Sequence, residues 1–132
     1  MMRYMLDTDI ASDVIRRRPE RLLARFAAEA GHLCVSVITE AELRYGVERR
    51  QSRAIETAVT AFLARLPVLD WARAAASAYA RLRARLAAEG RPIGNMDLMI
   101  AAHALASGSV VVTNNVRHFS GIDELVVENW AS

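Results

Sequence analysis

The apolar runs Arg3 to Leu6, Leu33 to Ser36 and Val110 to Thr113 are each the length of a strand, and stretches long enough for helices keep them apart. Strands separated by helices need crossover connections, and crossovers build a parallel sheet covered by helices on both faces. The predicted class is therefore α/β, a three-layer α/β/α arrangement around a central, mainly parallel sheet.

Local signals divide the rest of the chain. Asp9 is placed to cap a first helix running to about Arg18, and Pro19 to start a second one reaching about Ala30, closed by Gly31. Thr39-Glu40-Ala41-Glu42 opens a third helix, with Glu42 in its first turn and a possible capping box with Thr39. A fourth helix, about Arg53 to Leu66, stops at Pro67 before the brief apolar run Val68-Leu69. Trp71 to Glu89 reads as a long helix closed by Gly90, then Met96 to Ser107 as an apolar helix and Val126 to Glu128 as a last strand. With 132 residues, 53% of them hydrophobic, and neither a repeat nor a linker, the expectation is one domain over residues 1–132.

Composition excludes several classes. No segment approaches the roughly 18 apolar residues that span a bilayer, and Asp7 interrupts the N-terminus before a signal-like apolar stretch can form. Cys34, the only cysteine, cannot form an internal disulfide and is expected to pack as a small hydrophobe, in keeping with a cytoplasmic protein. All 17 basic residues are arginine, yet the net charge is only +2. Arginine-rich helix surfaces remain solvated in most proteins, but guanidinium groups also suit phosphate, so a nucleic-acid partner is permitted without being demonstrated.

The acidic residues carry more information. Asp97 stands in Ile93-Gly94-Asn95-Met96-Asp97-Leu98-Met99-Ile100-Ala101-Ala102-His103, a stretch apolar on nearly all sides. A carboxylate in such a place must be paired, hydrogen-bonded, protonated or bound to a cation. Capping by Asn95 with Asp97 in the favourable first turn is one explanation, and chemistry is the other. Asp7 follows the first strand, and Glu42 comes six residues after the second. A helix of about 18 Å returns the Asp97 end to the level of Thr113, at the strand C-termini where open parallel sheets bind ligands. Asn114 and Asn115 follow that strand directly. Carboxylates gathered there repel one another unless a cation neutralises them, and hard oxygen donors favour Mg2+ or Mn2+.

The segments Met5-Leu6-Asp7-Thr8-Asp9, Ser36-Val37-Ile38-Thr39-Glu40-Ala41-Glu42-Leu43-Arg44-Tyr45-Gly46, Ile93 to Ala104 and Val112-Thr113-Asn114-Asn115-Val116-Arg117-His118-Phe119 resemble, in this order, PIN-domain ribonucleases. They are most similar to the VapC toxins of type II toxin–antitoxin pairs, in particular the subgroup acting on initiator tRNA. The likeness extends from Arg3 to Trp130.

This resemblance implies a metal-dependent endoribonuclease whose acidic metal ligands match Asp7, Glu42 and Asp97, with Mg2+ or Mn2+ as cofactor and 5′-phosphate and 3′-hydroxyl products. Thr113 would orient Asp7. The position of a fourth family acid is matched by Asn115, whose neutral amide binds a cation less strongly. Arg16, Arg17, Arg18, Arg44 and Arg117 are candidates to hold the RNA backbone. His103 is read as a packed core residue, and no role is assigned to His32 or His118. The family further implies tRNA as substrate, a VapB-type antitoxin whose C-terminal segment lies across the acidic site and supplies an arginine or similar group, and a homodimer. Apolar helix surface around Leu22 to Phe26 and Phe62 to Leu66 could serve the dimer.

Two alternatives stand beside this reading. Asp7-Thr8-Asp9 also resembles the opening motif of haloacid-dehalogenase-type phosphatases, although the chain has no lysine and that motif leaves Glu42 without a task. The neutral Asn115 leaves room for a catalytically silent PIN-like module that binds RNA or protein.

Overall fold

A computed structural model describes residues 2–132. Strands β1 (Arg3–Leu6), β2 (Leu33–Ser36), β3 (Val68–Leu69), β4 (Ser109–Val112) and β5 (Val127–Glu128) form one sheet in the order β3-β2-β1-β4-β5. Every pairing is parallel. The class expected from the sequence is thus observed.

Alternation along the strands builds a core on each face. Met5, Cys34 and Val111 point into one, with Leu82, Leu86, Leu98 and Ile100 from helices α5 (Arg73–Ala88) and α6 (Asn95–Ser107). Leu6, Val35 and Val112 point into the other, with residues of α1 (Thr8–Ile15), α2 (Glu20–Ala28), α3 (Val37–Arg50) and α4 (Arg53–Leu63). Cys34 is fully buried, and burial pushes its thiol up to about 11. Leu22, Phe26, Phe62 and Leu66 lie in this second core, with the Phe26 and Phe62 rings stacked 6.1 Å apart. These four are internal, while Leu23 and Leu63 of the same stretches remain partly exposed. Among the described residues, no helix is long and apolar enough to cross a membrane.

Several helix ends differ from the sequence reading. The cap of α1 is Asp7 rather than Asp9: Asp7 is extended and its Oδ1 accepts the Ile10 backbone N–H at 2.9 Å. Helix α1 stops at Ile15, and Arg17 turns left-handed at φ 60° ahead of Pro19. Helix α3 starts directly after β2, capped by Ser36, so Glu42 falls in the second turn and makes no capping box with Thr39. Helix α4 ends at Leu63, and α5 starts at Arg73 after an extended Ala72, leaving Trp71 outside it with its indole N–H on the Met99 carbonyl. Gly94, not Asn95, occupies the cap position of α6, without a side-chain bond. A short helix α7 (Val116–Phe119), absent from the sequence reading, follows β4.

Candidate active site

Strand β1 lies at the centre of the sheet; the chain builds outward through β2 and β3, then returns to β4 on the other side of β1. The carboxyl ends of β1 and β4 therefore flank a topological switch point, the usual crevice for ligands. Leu6 pairs with Val112, which sets Asp7 and Thr113 side by side at that crevice. The Asp7 N–H also donates to the Val112 carbonyl at 3.0 Å.

Asp7 is only 3% exposed, and its carboxyl is pushed up to about 6 from an ordinary 3.8. Burial is the main cause. Hydrogen bonds from the Thr113 hydroxyl and the Ile10 N–H oppose it, whereas the charges of Asp9 and Asp97 reinforce it. Thr113 is fully buried, and its oxygen accepts the Asn115 N–H at 2.9 Å. Asp97 sits in the first turn of α6 and reaches Asp7 electrostatically.

Glu42 comes from α3. Its Oε1 accepts the hydroxyl proton of Thr8, whose oxygen also lies 3.2 Å from that of Thr39. The residue after Asp7 thus ties the third acid to the crevice. Asn115 takes part through its backbone, while the Asn114 amide donates to Asp13 at 3.2 Å.

Two histidines differ in their placement. His103 is buried, with Nδ1 2.7 Å from the Ser36 hydroxyl, and burial holds its pKa below the ordinary value. It is the core residue the sequence suggested. His118, given no role, places Nδ1 2.9 Å from Asp97 Oδ2. The only sequence signal for it was its position within the Thr113 to Phe119 segment.

The arginines scatter. Arg16, Arg17, Arg18 and Arg117 are exposed, and Arg44 is paired with Glu40 one turn back on α3. Arg16 joins Arg49 and Arg50 around a cleft of about 380 Å3 between α1, α3 and α4, with Leu43 and Ile55 in its lining and Thr8 and Glu42 among its polar groups.

Among the described residues, no three His, Cys, Asp or Glu side chains are drawn together as a ready-made metal cage. Glu42 is engaged by Thr8 and Asp97 by His118. The donor chemistry nevertheless fits a divalent cation. Asp7 and Asp97 offer hard oxygens whose charges oppose each other, and a cation between them would offset both that repulsion and the burial that keeps Asp7 from ionising.

The family model for the PIN domain matches residues 4–125. Ribonuclease VapC2 of Haemophilus influenzae is 44% identical over 131 residues, 98% of this chain and 99% of that protein. The tRNA(fMet)-specific endonuclease VapC of Shigella flexneri is 41% identical, covering 99% and 100%. The structure of DNA-bound VapBC from Salmonella typhimurium superposes with a TM-score of 0.89 at 42% identity, covering 98% of this chain and 99% of that one. Fold, crevice and kinship together place the chain in the PIN-domain family. Within that family it belongs to the VapC ribonucleases, toxins of toxin–antitoxin pairs. A phosphatase reading of Asp7-Thr8-Asp9 has no place here, and Asp9 is an exposed residue of α1.

Proposed function

We propose that this ribonuclease toxin depends on Mg2+ or Mn2+ and hydrolyses tRNA, with Asp7 and Asp97 as principal metal ligands and Glu42 as further ligand or water-orienting base. The observation that carries the proposal is Asp7 buried at the switch point, with Asp97 in the first turn of α6 near enough for its charge to add to the rise in the Asp7 pKa. A cation held there would activate water and offset charge developing on the phosphodiester.

The chain's own groups prepare this chemistry. Thr113 and the Ile10 N–H donate to the Asp7 carboxylate and favour its charged form. Asp97 stands in the first turn of α6, where the helix dipole favours an acidic ligand over a basic one. Thr8, the residue after Asp7, holds Glu42 by its hydroxyl, and the Glu42 carboxylate can take a proton from water. Arg16 and Arg117 are exposed and available to RNA phosphates, Arg17 and Arg18 continue the basic turn after α1, and Arg44 is the weakest candidate because Glu40 already holds it.

Support for tRNA comes from the Shigella flexneri relative, named a tRNA(fMet)-specific endonuclease, and support for a VapB-type antitoxin from the VapBC structures. The cleft between α1, α3 and α4 suits such a partner. It combines apolar Leu43 and Ile55 with an arginine rim and leads to Glu42, so an amphipathic segment would fill it, with acids at the rim and an arginine or similar group toward Glu42.

The test is cleavage of a mixed tRNA pool by antitoxin-free protein. Cleavage should require Mg2+ or Mn2+, stop with EDTA, and be lost in Asp7→Asn and Asp97→Asn, with 5′-phosphate ends at the cut. Activity that survives EDTA and both substitutions would overturn the metal-nuclease reading. Intact tRNA beside another cleaved RNA would overturn only the substrate.

A further inference from the structure

His118 lies outside the acids that define the site, yet it makes a direct contact with one of them. Its Nδ1 is 2.9 Å from Asp97 Oδ2, and an ionised carboxylate only accepts hydrogen bonds, so Nδ1 carries the proton. Resting on the metal-nuclease reading above, we propose that His118 is a positioning residue for Asp97. It fixes one carboxylate oxygen so that the other is presented to the cation.

The surroundings of His118 argue for a built contact. His118 and Asp97 are both partly open, with 52% and 33% side-chain exposure, and a free surface pair of this kind would ordinarily be loose. Here both backbones are anchored. Phe119, next to His118, is 1% exposed, and Leu98, next to Asp97, is 2% exposed; the two belong to the same buried cluster. The His118 N–H also donates to the Asn115 carbonyl at 3.1 Å, closing the turn of α7. The imidazole is therefore delivered to Asp97 by packing beneath both residues.

The same segment serves the other acid. Asn115 donates its N–H to the Thr113 oxygen, and the Thr113 hydroxyl beside Asp7 opposes the rise in that acid's pKa. Residues 113 to 118 thus face both proposed principal ligands, with Thr113, just after β4, beside Asp7 and His118, on α7, in contact with Asp97. Outer contacts of this kind orient metal ligands, and their removal typically weakens metal affinity or activity by about 10 to 100-fold.

The test titrates the full-length protein with Mn2+ alone, following free Mn2+ by electron paramagnetic resonance, in wild type, His118→Ala, His118→Asn and Asp97→Asn. The Asn amide nitrogen can stand where Nδ1 stands, so His118→Asn should stay within about threefold of wild type, whereas His118→Ala should lose about tenfold or more. tRNA cleavage by His118→Ala should recover as Mn2+ is raised, because the ligands remain. Wild-type affinity in His118→Ala would overturn the proposal, as would tighter binding, which would make His118 a competitor for Asp97. Equal losses in the Ala and Asn variants would assign the imidazole a direct ligand role and also overturn it. Wild type and Asp97→Asn alike in taking up no Mn2+ would remove the metal reading, and the proposal with it. His118 is exposed, so thermal melting of both variants should match wild type within a few degrees.

Discussion

The Ser36 hydroxyl joins the two helices that carry Glu42 and Asp97: it caps α3 by accepting the Ile38 N–H at 3.0 Å and lies 2.7 Å from Nδ1 of His103 on α6. The Asp70 backbone also lies by the His103 ring, and burial holds the ring's pKa below the ordinary value. The consistent tautomer has Nε2–H on the Asp70 carbonyl and Nδ1 accepting from Ser36. Ser36→Ala should then lose a cap, about 1 kcal/mol, and orphan a buried nitrogen, a further 1 to 3 kcal/mol or so. Urea unfolding of Ser36→Ala, His103→Leu and the double variant should show a coupling of at least roughly 0.5 kcal/mol. Additive losses would remove the bridge.

Asp7 makes stability depend on pH in a definite direction. Its carboxyl titrates near 6 when folded and near 3.8 otherwise, so the unfolded chain releases this proton first and the folded state loses stability as pH rises from about 4 to about 6. Two pH units correspond to roughly 3 kcal/mol. Asparagine keeps the cap to Ile10 without the charge. In EDTA, Asp7→Asn should therefore melt above wild type at pH 7.5, with the gap closing toward pH 4. A gap that is constant with pH would refute this account. Added Mn2+ should narrow the gap by stabilising wild type alone.

The positions of the acids were legible in the sequence because strand ends and helix starts fix them: Asp7 ends an apolar run, and Asp97 begins an apolar helix. What held them was less legible. Asp9 and Asp7 are equally good capping residues, and only the extended backbone at the end of β1 selects Asp7. Thr39 and Glu42 have capping-box spacing, but α3 begins two residues earlier, which frees Glu42 for Thr8 on another helix. His118 and Asp97 are 21 residues apart, and their contact depends on α7, a four-residue helix whose periodicity is too short to read. Leu22 and Phe62 carried the correct apolar signal, yet no local pattern separates core from interface.

Gly46 gives a prediction in which stability and binding move apart. It lies inside α3, and a Cβ added there meets nothing within 4 Å, so neither backbone conformation nor internal packing calls for glycine. Gly46→Ala should stabilise the free toxin by about 0.5 to 1 kcal/mol, read as a higher urea midpoint. Gly46 also lines the cleft proposed for the antitoxin, and the new methyl group would occupy space there. Antitoxin affinity should fall while toxin stability rises. A rise in both would show that the partner does not approach Gly46.

Thr8 offers the cleanest separation of scaffold from chemistry. Its hydroxyl donates to Glu42 and neighbours Thr39, while its methyl can be kept by valine. Thr8→Val should cost only about 1 kcal/mol of stability, the worth of one ordinary hydrogen bond, because Glu42 is partly exposed and water can replace the lost donor. Catalysis should suffer more. A freed Glu42 samples several rotamers, and loss of an outer hydrogen bond at such a site lowers activity by about 10 to 100-fold. The loss should appear in kcat with KM for tRNA unchanged, since Thr8 is not proposed to hold the RNA backbone. Thr8→Ser, which keeps the hydroxyl, should restore most of the rate. A Thr8→Val enzyme with wild-type kcat would mean that Glu42 does not need this anchor, and a rise in KM alone would move Thr8 into the substrate-binding surface.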